Sequence, residues 1–182
     1  KTWARLDDSS ALSGANAQDW RDWIDRALSQ NTLILSFQPV STCADSGKIL
    51  HHKVLARLLD PQGKAITAGQ FLPWVERLGW SARLDFAMLE SCIKQLEKYP
   101  QALALSLSGQ TLRDAESQAR LLQILRASPG KGGQLTLELD ARHLPPPEQL
   151  EQLSQSIRAT GYQLGLQHFG GNFSLISNLT NL

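Results

Sequence analysis

Residues 135–168 read LTLELD-ARHLPPPEQLEQLSQSIRATGY-QLGLQH, and this stretch decides the fold. LTLELD alternates apolar and polar side chains, the two-residue period of a half-buried strand. Three prolines follow, then a helical stretch near 147–160, and then QLGLQH (163–168), a second strand. Upstream the same pattern begins earlier, with ALALSL at 102–107 followed by a helical stretch near 114–127. Strands that alternate with helices in this way build a parallel sheet or a β/α barrel.

Further toward the N-terminus the rhythm changes. A helix from about Ala82 to Lys98 stops before Pro100, and Thr67-Ala68-Gly69-Gln70 has the capping-box spacing of a helix that ends near Gly79. LILSFQPV (33–40) and a strand at 49–58 flank a turn at Asp45-Ser46-Gly47, a connection too short for a crossover helix, so the pair is expected to be antiparallel. Before it, Asn16 caps a helix whose Trp20, Trp23, Ile24, Ala27 and Leu28 share one face. Residues 1–15 read as a linker or the end of a preceding domain, and 16–182 as the domain proper.

Composition narrows the function. Of the 182 residues 42% are hydrophobic and 19% charged, as in an ordinary folded protein, and the net charge of +1 provides no basic field for nucleic acid. Cys43 and Cys92 have no metal-ligand spacing and read as reduced thiols of a cytoplasmic protein. No apolar run is long enough to span a membrane.

A β/α barrel places its active site at the carboxyl ends of the strands. That points to 53–57, Ser106, Glu138, Gln167 and His168. A metal-dependent hydrolase needs several carboxylates there, and this reading finds one, Glu138, opposed by the cation Lys53. The expected barrel mouth is poor in metal ligands.

FQPV at 37–40, KVLAR at 53–57, FLPWVERLGW at 71–80, SLSGQTL at 106–112, LELD at 137–140 and QHFGGNFSLISNL at 167–179 resemble, in order, the motifs of the EAL domain, a family of cyclic di-GMP phosphodiesterases and their inactive relatives. The resemblance implies a modified, TIM-like (β/α)8 barrel with an antiparallel first strand pair, of which this chain carries five of eight strands. It also implies that the family's metal-binding positions fall on Lys53 (usually Glu), Ser106 (usually Asn), Glu138 (retained), Gln167 and His168 (both usually Asp). A unit charge at about 4 Å from a divalent ion, at an effective dielectric of about 20, costs about 8 kcal/mol. The expectation is therefore a domain that is not an enzyme and holds no metal. Its ligand, cyclic di-GMP, is expected to be gripped by Gln38, Leu55, Arg57, Phe71, Leu72, Glu138 and Phe173: Arg57 forking onto a phosphate, the aromatics stacking a guanine. KVLAR itself is similar to the LapD-type receptor group. That similarity implies the cytoplasmic part of an inner-membrane receptor in biofilm and adhesion signalling, with its other domains and a second copy of itself as partners.

Plainer readings stand beside these. Arg57 would then salt-bridge a neighbouring helix, Phe71 and Phe173 would be core, Trp74 and Trp80 would pack or serve an interface, and Glu138 would point at Lys53 as an internal ion pair. Two further functional classes compete: an interaction scaffold without nucleotide, and a weak phosphodiesterase.

Overall fold

The computed structural model describes residues 16–41, 49–129 and 134–167. The expected linker at 1–15, the turn at 45–47, Cys43, His168 and Phe173 lie outside the described residues.

Helix α1 (Ala17–Gln30) opens with a reciprocal cap: Asp19 N donates to Asn16 Oδ1 and Asn16 N to Asp19 Oδ2. It ends at Asn31, whose φ of 50° reverses the chain into strand β1 (Ile34–Ser41). Strand β2 (Ile49–Leu59) runs antiparallel to β1, as expected, with Ile34 opposite Arg57 and Gln38 opposite Lys53. A two-residue strand that the sequence reading lacks, β3 (Ala65–Ile66), folds back on the end of β2. Its turn is built by Asp60, whose Oδ1 accepts from the backbone N–H of Gln62 and Lys64, and by Gly63 at a φ of 85°. Helices α2 (Ala68–Leu78) and α3 (Ser81–Lys98) follow, and Gln70 Oε1 accepts from Thr67 N at the head of α2.

Then come β4 (Leu103–Leu107), a five-residue helix α4 (Gly109–Arg113), α5 (Ala115–Ala127), β5 (Leu135–Asp140), α6 (Pro147–Ala159) and β6 (Gln163–Gln167). The helix expected near 114–127 is α5, capped by Asp114 through Ser117 N; α4, which the sequence pattern does not announce, precedes it. Sheet order is β1-β2-β4-β5-β6, with every pair after β1-β2 parallel except the short β2-β3 ladder. Pro39 lies on β1, the outermost strand of the described sheet, where a missing N–H is tolerated.

The strand period sorts the sheet into two faces. Val54, Ala56 and Leu58 of β2, Leu103, Leu105 and Leu107 of β4, and Leu135, Leu137 and Leu139 of β5 are all buried in one core that also includes Trp20, Ile24, Phe71, Leu89, Leu125 and Ile157. Each fully buried leucine side chain contributes about 2 kcal/mol of transfer free energy. The helices therefore cover one face of the sheet and leave the other for the site. No helix among the described residues is long and apolar enough to cross a membrane.

Candidate functional site

The face turned away from the core collects the polar strand positions. Along β2 the buried residues 54, 56 and 58 alternate with half-buried Lys53 and exposed Leu55, Arg57 and Leu59. Cross-strand pairing carries the same face outward: Lys53 is level with Gln38 on β1 and with Ala104 on β4, and Ser106, two residues further, is level with Glu138 on β5. Glu138 in turn is level with Gly165 on β6. Gln38, Lys53, Leu55, Arg57, Ser106 and Glu138, six of the residues read from the sequence, thus share one face. Gln167 belongs to the same rung as Asp140, at the end of β6.

The charges on this face are specific. Lys53 Nζ lies 3.4 Å from Glu138 Oε1, with the two side chains 30% and 18% exposed. That oxygen is buried and makes no well-formed hydrogen bond, so the contact is an ion pair rather than a charge-assisted hydrogen bond. The internal pairing of Glu138 with Lys53 is therefore what the structure shows. Arg57 is exposed and makes no ion pair or hydrogen bond among the described residues, so the salt bridge to a neighbouring helix is not formed.

Phe71 requires a correction. It is fully buried, at 0% exposure, because the first turn of α2 faces the core, and its ring cannot stack on a ligand without leaving that core. Leu72, next to it, is 37% exposed. Trp74 also packs: it stacks on Trp20 with ring centroids 5.7 Å apart, while Arg77 covers it and Arg21 and Arg83 flank Trp80.

Two carboxylates escaped the sequence reading. Asp140, at the end of β5, is a second carboxylate at the strand ends beside Glu138. It is clamped by Arg142, whose Nε and Nη2 donate at 3.0 and 2.8 Å and whose backbone N–H donates at 2.9 Å. Those hydrogen bonds hold its carboxyl well below the usual carboxylate range. Its strand position was the available signal. Asp85, buried on α3, accepts from Ser108 N at 2.7 Å and from Thr111 Oγ1 at 2.6 Å, and so fixes the loop that follows β4. Burial pushes its carboxyl up to about 6. No spacing in the sequence announces it, because its partners lie 23 and 26 residues away.

Among the described residues no three His, Cys, Asp or Glu side chains form a metal-binding group. A divalent ion of the magnesium class requires several oxygen ligands with net negative charge. Here Glu138 is neutralised by an ammonium and Asp140 by a guanidinium, so the described donor set does not fit such an ion.

A profile of the EAL domain matches residues 21–182. The chain belongs to the EAL domain family. Its reversed β1-β2 pair and parallel β4-β5-β6 sheet are the corresponding part of the EAL (β/α)8-type barrel. This EAL domain is 24% identical over 161 residues to the probable cyclic di-GMP phosphodiesterase PdeB of Escherichia coli K12, covering 86% of the chain and 31% of the relative. It is 25% identical over 187 residues to the cyclic di-GMP phosphodiesterase PdeB of Shewanella oneidensis, covering 92% and 20%. The chain thus spans a third or less of these relatives. Among solved structures, the S helix-GGDEF-EAL portion of Vibrio cholerae LapD bound to c-di-GMP superposes with a TM-score of 0.75 at 22% identity, over 92% of this chain and 41% of that one. The FimX EAL domain of Pseudomonas aeruginosa bound to c-di-GMP gives 0.69 at 27% identity, over 90% and 68%.

Proposed function

We propose that this EAL domain binds cyclic di-GMP without cleaving it and needs no metal to do so. The observation that carries the reading is the Lys53–Glu138 ion pair, which places an ammonium against the one retained carboxylate of the family's metal positions. Without a metal there is no activated water, and hydrolysis of a phosphodiester has no nucleophile of sufficient strength. What remains on the open face suits an anionic, flat ligand: Arg57 for a phosphate, Gln38 for a guanine edge, Leu55 and Leu72 for apolar contact. By likeness to LapD, the domain would serve as the reporting part of a larger, membrane-anchored and dimeric receptor in the cytoplasm, acting in biofilm and adhesion control.

The test has two parts. Calorimetric titration with cyclic di-GMP in the presence of a chelator should show saturable binding, and its absence would leave an interaction scaffold as the better reading. Incubation with magnesium or manganese should yield no linear dinucleotide, from the wild type or from Lys53→Glu, which restores a single ligand. Product above a no-enzyme control overturns the loss of hydrolysis.

A further inference from the structure

The ion pair on the open face has two sides, and only one of them concerns the loss of a metal. Lys53 keeps 30% of its side chain exposed, on the same face as Arg57 and directly across from Gln38. Lys53 and Arg57 are four residues apart on β2, about 13 Å along a strand, with exposed Leu55 between them. A flat ligand lying over Leu55 therefore has a cation at each end. A cyclic dinucleotide carries two phosphodiester charges, and Arg57 can balance one of them.

We infer that Lys53 is itself a ligand-binding cation, standing in for the divalent ion at the second phosphate, and that Glu138 is its internal competitor. This rests on the proposal that the domain binds cyclic di-GMP. In the unliganded fold the ammonium lies 3.4 Å from Glu138 Oε1. A phosphate oxygen that approaches Lys53 offers a second anionic acceptor in a charge-assisted contact. The carboxylate opposes it by drawing the ammonium away and by repelling the phosphate. The pair thus sets affinity: Lys53 supplies attraction, and Glu138 lowers it to a level at which the ligand can leave. Any contribution of magnesium to binding is replaced by a charge that is part of the chain.

Titrations with cyclic di-GMP on the intact protein test this, with circular dichroism to establish that each variant is folded. Lys53→Met should weaken binding about tenfold or more. Glu138→Gln, which keeps the shape of the side chain but removes the opposing charge, should tighten it severalfold. Lys94→Met, a control at an exposed position on α3, should stay within about twofold of wild type. Magnesium should leave the wild-type dissociation constant unchanged. A folded Lys53→Met that binds like wild type overturns the inference while leaving the proposed function standing, and a Glu138→Gln that binds more weakly overturns the competitor role. Absence of binding by the wild type overturns both the inference and the proposal beneath it.

Discussion

Arg57 holds its guanidinium on an exposed rung of β2 with no partner among the described residues, so its removal leaves nothing behind to be unsatisfied. Arg57→Ala is expected to preserve the melting temperature and to weaken cyclic di-GMP binding about tenfold or more, since a charge-assisted hydrogen bond is worth about 1.5–3 kcal/mol. Unchanged affinity in calorimetry would remove Arg57 from the ligand face. Asp85 makes the opposite case, a carboxyl whose charge burial disfavours. Burial pushes its carboxyl up to about 6 from an ordinary value of 3.8, so between those limits the fold keeps a proton that the unfolded chain releases. Stability should therefore rise as pH falls through that window and lose about 3 kcal/mol from this group as pH climbs from about 4 to about 6. Other carboxylates, Asp140 among them, have lowered values and act in the reverse sense. The difference between the wild-type and Asp85→Asn denaturation profiles isolates the effect, and parallel profiles would refute it. Residues of this kind differ in how plainly a sequence exposes them. Lys53, Ser106 and Glu138 are legible because a period of two fixes which face of a strand they occupy. Phe71 is not, because an aromatic at the head of an amphipathic helix satisfies a core and a ligand pocket equally well until its neighbours are placed.

At the scale of elements, the long periodic segments are the ones that the sequence makes plain: α1, α3, α6 and the alternating strands β4 and β5. The two short ones, β3 and α4, depend on contacts that no local pattern encodes. β3 exists because Asp60 ties its turn, and α4 because Ser108 and Thr111 are held by Asp85 from another helix. The attachment of α1 is the clearest energetic case. Trp20, 7% exposed, stacks on Trp74 of α2 and meets Trp23 edge-on at 5.3 Å. Trp20→Ala is expected to destabilise the domain by about 3 kcal/mol, through both lost transfer energy and the cavity left behind. Urea denaturation measures it, and a loss below about 1 kcal/mol would mean that α1 is only loosely attached.

For the whole molecule, β1 and β6 are each paired on one side only among the described residues, and the open face carries exposed Ile34, Leu55 and Leu59. Unpaired edges beside apolar surface recruit further strands. Prepared alone, the 182-residue chain is expected to self-associate in sedimentation experiments as its concentration rises, and a strictly monomeric chain would count against an open barrel edge. The reversed direction of β1 has a mechanical meaning as well. In an all-parallel barrel the first strand begins at the end remote from the site. Here β1 begins level with Arg57, and only residues 31–33 separate it from α1. Those three residues are a short tie: Asn31 Oδ1 accepts from Ser91 Oγ of α3, and Thr32 N donates to Ala27 O. The seat of α1 and the rung on which Arg57 stands are therefore joined through one short connection.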